Sequence, residues 1–151
     1  MVLHGDGSPT RRYLYASDAT DAFDTILHKG QIGQVYNVGS VDEISNLGIC
    51  TLLLTAMNIS HDTPEKLSEW VKYTNDRPFN DSRYAVDSTK LRQLGWQQRT
   101  SFEDGLQETS DWYRRFGEVW WGDISRALTP FPIVHDGEVT ESEDVVRDEP
   151  L

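Results

Sequence analysis

The chain has 151 residues, of which 37% are hydrophobic and 11% aromatic, and its formal net charge is −11 at pH 7. This length suits one domain with a hydrophobic core and is short for two. A strongly negative charge argues against nucleic acid and anionic membrane as partners, because both would repel it. The longest apolar run, residues 49–57, contains two threonines and is too short to span a membrane.

The N-terminal residues lack the basic start and apolar stretch of a signal peptide, so we expect a cytoplasmic setting. The single cysteine, Cys50, excludes an internal disulfide and suits a reducing compartment. The four histidines are scattered without the spacing of metal ligands, so no metal site is predicted.

The negative charge is concentrated at the C-terminal end. Residues 136–151 contain seven acidic residues and one arginine, which leaves a net charge of only −5 for the preceding 135 residues. This segment has no aromatic residue and cannot bury enough apolar surface to offset the entropy of ordering. We therefore predict a globular unit over residues 1–135 and an acidic disordered tail over residues 136–151.

The first half of the chain predicts two helices separated by a strand. An oxygen-bearing cap at Ser17 opens a short amphipathic helix that Gly30 ends. Alternating apolar residues predict a strand over residues 34–38. Residues 45–46, a serine and an asparagine, cap a second helix.

The second half predicts further short strands and helices. Strands are expected near residues 70–73 and over residues 83–86, and a short helix over residues 88–94 is stopped by a glycine. A capping box at residues 100–103 opens a longer helix that runs to about Phe116. The residues of this helix predicted to face inward are Phe102, Leu106, Thr109 and Tyr113. Helices that alternate with short strands predict an α/β fold.

A turn rich in charged residues follows the strand near residues 70–73. Residues 76–87 have the sequence DRPFNDSRYAVD, in which Arg77 and Arg83 flank a Pro-Phe-Asn-Asp turn. Two guanidinium groups at this spacing can hold a diphosphate, because planar bidentate donors match phosphate oxygens better than lysine does.

Residues 76–87 resemble the DRPxxDxRYxxD signature of nucleotide-sugar 4,6-dehydratases, which belong to the extended short-chain dehydrogenase/reductase family. Residues 5–18, 33–39 and 43–46 resemble, in the same order, the GxGxxxRxxLYVxD, GxVYNIG and NExxN passages of that family. The ending over residues 120–132 resembles the dehydratase domain of plant-type UDP-rhamnose synthases, which favours UDP-glucose over dTDP-glucose as the substrate.

The resemblance covers about residues 5–132 and implies a particular fold and site. It implies the C-terminal substrate-binding lobe and last sheet strand of an extended short-chain dehydrogenase (Rossmann-type) fold, with the N-terminal Rossmann half absent. The residues that it implies for binding the nucleotide sugar are Arg11, Asn46, Arg77 and Asn80. The alternatives are structural roles: a surface ion pair for Arg77, a solvated strand position for Arg11, and a helix cap for Asn46. Asn80 stands where dTDP-type enzymes often carry histidine.

The catalytic half of the family pattern does not occur in this sequence. No tyrosine is followed four residues later by a lysine, and no GxxGxxG or GxGxxG fingerprint occurs. Gly30 and Gly33 precede a predicted strand, whereas a dinucleotide-binding loop follows a strand so that phosphate meets a helix N-terminus. We assign no catalytic or cofactor-binding residue, and we expect NAD in the complete family enzyme but not on this chain alone.

The sequence therefore predicts a substrate-binding fragment of an NAD-dependent nucleotide-sugar 4,6-dehydratase that is inactive alone. The complete reaction would convert UDP-glucose to UDP-4-keto-6-deoxyglucose in rhamnose-type sugar biosynthesis. Two alternatives stay open: a noncatalytic module that binds a nucleotide sugar or a dehydratase subunit, and a fragment of a related epimerase or decarboxylase. The expected partners are a nucleotide sugar and either a second copy in a homodimer or the missing N-terminal half, without nucleic acid or membrane.

Overall fold

The structure of the protein is a computed structural model, and it describes residues 1–76, 79–124, 132–135, 138–141 and 147–150. Short strands and helices alternate along the chain, as an α/β fold requires. The strands are β1 (Val2–His4), β2 (Thr10–Arg12), β3 (Glu43–Ser45), β4 (Lys72–Thr74), β5 (Pro132–His135) and β6 (Glu138–Glu141). The helices are α1 (Ala16–Lys29), α2 (Asn46–Ala56), α3 (Pro64–Ser68), α4 (Thr89–Arg92) and α5 (Phe102–Trp121).

The strands pair into three ladders of two strands each. β1 and β4 are parallel, whereas β2 with β3 and β5 with β6 are antiparallel. The strand expected near residues 70–73 is β4. The strands β1, β2, β3, β5 and β6 and the helix α3 were not predicted, because an element of three to five residues is too short to show a periodic pattern.

The strand predicted over residues 34–38 does not form. These residues have no ladder partner within the described part of the chain, and Val35 is 78% exposed. Residues 83–86 were also predicted as a strand. Among them, Arg83 alone forms a β-bridge, which is parallel and pairs it with Thr10. A strand exists only where a neighbouring strand satisfies its backbone groups, so local alternation is not sufficient.

The predicted cap of α1 is wrong. The helix begins after Tyr15, which makes no capping hydrogen bond through its side chain. Asp18, near the expected cap, is 2% exposed and accepts hydrogen bonds from the backbone amides of Arg99 and Thr100, both at 3.0 Å. This carboxylate therefore ties α1 to the segment that leads into α5.

The long helix α5 forms as predicted but its bounds differ. Its cap is Ser101, one residue later than the predicted box, and Ser101 Oγ accepts from the Asp104 amide at 3.1 Å. The helix runs to Trp121, beyond the expected end near Phe116, and stops at Gly122, which has a φ of +63°. On the face expected to be inward, Tyr113 is 52% exposed, so that part of the prediction is wrong.

The buried apolar residues form two small clusters. The first lies between the β1–β4 ladder and α2, and the second lies between α1 and α4. The members of the first cluster are Leu3, Cys50, Leu54, Val71 and Tyr73, and those of the second are Ala22, Leu91 and Trp96. Phe23 and Leu27 of α1 stay exposed, at 65% and 80%. Within the described residues no helix is long and apolar enough to cross a membrane.

The described parts of the predicted tail make backbone contacts. β6 pairs with β5, and the backbone groups of Arg147 exchange two hydrogen bonds with Tyr73, at 2.7 and 2.8 Å. Lys72 Nζ donates to Asp148 Oδ1 at 2.5 Å. The remaining tail residues, 136–137, 142–146 and 151, lie outside the described residues. The boundary at residue 135 and the disorder of the tail stay predictions.

Candidate functional site

Strand β2 forms the centre of the candidate site. On one side it pairs with β3, where Arg11 is opposite Ile44, and the Asn46 amide extends the pairing by donating to Pro9 O at 3.0 Å. On its other side, the Thr10 amide donates to the carbonyl of Ser82 at 2.8 Å. We call residues 79–84 the site loop. The fold thus brings three separate segments of the sequence, β2, the start of α2 and the site loop, to one place.

Arg11 lies between β2 and the site loop. Its Nη1 donates to Thr10 O at 2.7 Å and to Asp81 O at 3.0 Å. Its guanidinium carbon lies 4.7 Å from the centre of the Tyr84 ring, within the range of a cation–π contact. Within the described residues, Arg11 Nε and Nη2 make no hydrogen bond. These contacts orient the guanidinium group and leave two of its nitrogens for a ligand.

Asn46 is the first residue of α2, but it is not the cap. Ser45 has that role, because its Oγ accepts from the Gly48 amide at 3.0 Å. The amides of Asn46 and Leu47 are also used, since they donate to Pro9 O and Gly7 O. The Asn46 side chain makes no hydrogen bond within the described residues. The capping alternative is therefore wrong for Asn46, and its carboxamide is available to a ligand.

The remaining two predicted binding residues, Arg77 and Asn80, follow β4 in the sequence. Asn80 Nδ2 donates to Asp76 Oδ1 at 2.9 Å. Arg77 lies outside the described residues, so both its diphosphate contact and its surface ion pair stay predictions. The structure therefore brings Arg11, Asn46 and the site loop with Asn80 together, and it does not test Arg77.

Glu43 is a residue of the site that the sequence analysis did not single out. Arg83 donates to both oxygens of its carboxylate, from Nε at 2.6 Å and from Nη2 at 2.7 Å. Thr10 Oγ1 and Arg12 Nε also donate to this carboxylate, at 3.0 and 3.3 Å. The hydrogen bonds from Arg83 above all, with those from Thr10 and Arg12, lower the pKa of Glu43 to about 2.

The pairing of Arg83 with Glu43 contradicts the prediction that Arg83, together with Arg77, holds a diphosphate. Because its guanidinium group is bidentate on Glu43, Arg83 does not present a free fork to a diphosphate. Glu43 and Arg12 lie opposite each other on β3 and β2, and this opposite-charge pair is the signal that could have pointed to Glu43 as a site residue. That signal depends on the β2–β3 register, which three-residue strands do not show in the sequence.

The described residues do not fit a dinucleotide cofactor. A dinucleotide loop places glycines between a strand and the helix that follows it. Here β3 passes directly into α2 at the cap Ser45, and Gly30 follows α1 rather than a strand. No group of three or more histidine, cysteine, aspartate or glutamate side chains suited to a metal ion occurs in the described part of the chain.

A family model described as GDP-mannose 4,6 dehydratase matches residues 1–109. The chain belongs to this dehydratase family. It is 46% identical over 132 residues to the trifunctional UDP-glucose 4,6-dehydratase/UDP-4-keto-6-deoxy-D-glucose 3,5-epimerase/UDP-4-keto-L-rhamnose-reductase RHM2 of Arabidopsis thaliana. It is 38% identical over 131 residues to the dTDP-D-glucose 4,6-dehydratase of Homo sapiens. Each match covers 87% of this chain, but only 19% of the Arabidopsis protein and 37% of the human one.

The dehydratase fold also matches solved structures. The dTDP-glucose 4,6-dehydratase DesIV of Streptomyces venezuelae, with NAD bound, aligns with a TM-score of 0.70 and 30% identity. That alignment covers 81% of this chain and 36% of DesIV. The UDP-glucose 4-epimerase of Thermotoga maritima aligns with a TM-score of 0.66 and 26% identity. These matches confirm the predicted family and the α/β fold of Rossmann-type short-chain dehydrogenases, of which the chain spans about a third.

Proposed function

We propose that this chain binds UDP-glucose, in preference to dTDP-glucose, as the substrate-binding part of an NAD-dependent 4,6-dehydratase. The observation that carries the proposal is the meeting of Arg11, Asn46 and the site loop at β2. The backbone amides at the start of α2 are already bonded, so a helix N-terminus does not supply the positive field here. The charge for a diphosphate therefore has to come from arginine side chains.

The choice of nucleotide rests on two similarities. The trifunctional relative of Arabidopsis, at 46% identity, is named for UDP-glucose. The ending over residues 120–132 also resembles UDP-rhamnose synthases. The dTDP-glucose dehydratase of Homo sapiens is less similar, at 38% identity. These observations favour a uridine nucleotide.

We propose further that the NAD-binding half of the enzyme is contributed by residues outside this sequence, and that the chain alone does not turn over substrate. The described residues do not fit NAD, and the Tyr-x-x-x-Lys pair does not occur. Phe23 and Leu27 of α1 expose apolar surface, and so does Val35 in the segment that follows. Exposed apolar patches mark interaction surfaces. The N-terminal Rossmann half is the partner that this surface suits.

Calorimetry with UDP-glucose, UDP and UMP tests the binding proposal. UDP-glucose and UDP should bind, and UMP should bind at least about tenfold more weakly, because it lacks the second phosphate. Arg11→Lys should weaken UDP binding by about tenfold, since lysine keeps the charge but loses the planar fork. Arg114→Lys is the matched control, because Arg114 also donates to a main-chain carbonyl, that of Ala56, but lies on α5. Equal affinities for UDP and UMP would contradict the diphosphate site.

A further inference from the structure

The Glu43 carboxylate joins three segments of the candidate site. Glu43 lies in β3, Thr10 and Arg12 lie in β2, and Arg83 lies in the site loop. All three of these neighbours donate to the one carboxylate, whose side chain is only 23% exposed. Bidentate guanidinium–carboxylate pairs are stronger and more directional than single hydrogen bonds.

The other described contacts between the site loop and β2 are single hydrogen bonds to main-chain carbonyls and the cation–π contact of Arg11 with Tyr84. The Thr10 amide donates to Ser82 O, and Arg11 Nη1 donates to Asp81 O. The Arg83–Glu43 pair adds two short bonds, at 2.6 and 2.7 Å, one residue beyond Ser82. Because residues 81–83 are consecutive, the pair determines where the whole loop lies along β2.

We infer that Glu43 is a positioning residue that holds the site loop against β2 through Arg83, and thereby fixes the spacing between Arg11 and Asn80. This inference rests on the proposed function, since it assigns Arg11 and Asn80 to the nucleotide sugar. Glu43 itself does not contact the ligand. Its negative charge compensates the charge of Arg83, so of Arg11 and Arg83 it is Arg11 whose guanidinium group is free to meet the diphosphate.

Four variants of the full chain test this inference: Glu43→Gln, Arg83→Gln, the double variant, and Asp62→Asn. Asp62 is the matched control, because it is another carboxylate held by a basic side chain, Lys66 at 2.8 Å, but it lies before α3 and outside the site. Hydrogen exchange of the Thr10 amide reports whether the loop stays docked. Calorimetry measures the Kd for UDP, which should rise if the spacing of the binding residues changes. Thermal melting measures global stability.

In both single variants, exchange of the Thr10 amide should become at least tenfold faster and the Kd for UDP should rise about fivefold to tenfold. The double variant should be no worse than either single variant, because each already removes the same pair. The melting temperature should fall by no more than it does in Asp62→Asn. A purely structural role would lower the melting temperature by more than Asp62→Asn does and leave UDP affinity unchanged.

Exchange at Thr10 equal to that of Asp62→Asn would overturn the inference, and so would faster exchange with unchanged UDP affinity. Tighter UDP binding in Glu43→Gln would also overturn it, because Arg83 would then be a ligand that Glu43 restrains. If the wild-type chain itself does not bind UDP, the proposed function fails. The docking role of Glu43 is then decided by the exchange data alone.

Discussion

Arg77 is the residue on which the predicted diphosphate contact depends most. Arg77→Lys keeps the positive charge but loses the bidentate geometry. We expect UDP-glucose affinity, measured by calorimetry, to fall at least about tenfold, because a hydrogen bond to a charged group contributes about 1.5–3 kcal/mol. Arg92→Lys, on α4, is the control. Unchanged affinity together with a lower melting temperature would support the surface ion pair instead.

The lowered pKa of the Glu43 carboxyl group predicts that the stability of the fold depends on pH. Its pKa is lowered from 4.5 to about 2 in the folded chain, mainly by the Arg83 hydrogen bonds. Such a group stabilises the fold fully above its usual pKa, and the stabilisation is lost as the pH falls towards the folded pKa. The melting temperature of wild type should therefore exceed that of Glu43→Gln by a constant margin above about pH 5, and the margin should shrink between about pH 4.5 and 2. A margin independent of pH would show that the charge of Glu43 is not what stabilises the loop.

At the scale of elements, Asp18 connects α1 to the segment before α5. Its buried carboxylate accepts two backbone amides, one with each oxygen. Asp18→Asn replaces one acceptor with a donor that faces another donor, so we expect the free energy of unfolding to fall by about 1–3 kcal/mol. Urea titration measures this change. Asp24→Asn, at an exposed position of the same helix, should be nearly neutral. Equal effects of the two substitutions would contradict the connecting role of Asp18.

At the scale of the whole molecule, the chain should bind substrate without converting it. Purified chain incubated with NAD and UDP-glucose should yield no 4-keto-6-deoxy sugar by mass spectrometry. The physical reason is that the described residues do not fit the hydride acceptor and that the sequence contains no Tyr-x-x-x-Lys base. Product above a protein-free control would contradict the proposal that a separate half completes the enzyme.

The acidic tail should also contribute little to the stability of the molecule. Apart from the β5–β6 ladder, its contacts among the described residues include an exposed ion pair, Lys72–Asp148, the backbone pairing of Arg147 with Tyr73, and a hydrogen bond from Arg147 Nη1 to Asn75 Oδ1 at 3.0 Å. Exposed ion pairs stabilise by at most about 1 kcal/mol, and ordering the tail opposes that gain. Deleting residues 136–151 should leave the melting temperature unchanged within error. A clear decrease would mean that the strand-like contact at Tyr73 is a required part of the sheet.

The amino-acid sequence by itself determined the family, the α/β class and the two long helices, and it led to the proposal of most residues of the candidate site. These properties depend on order and spacing along the chain: the DRPxxDxRYxxD stretch lies within twelve residues, and an amphipathic helix shows its period within a few turns. Arg11, Asn46 and Asn80 could be selected because each stands at a fixed place in such a local motif.

Only the tertiary structure decided which distant residues contact one another, and which residues, such as Glu43 and Asp18, position other segments. Glu43 lies 40 residues from Arg83, and Asp18 lies 81 and 82 residues from the amides that it binds. Residues 34–38 have the local pattern of a strand, yet they have no neighbour in the described chain to pair with. Hydrogen bonds between distant residues depend on how the chain folds back on itself, and so does the pairing of strands. A local sequence pattern therefore cannot predict either of them.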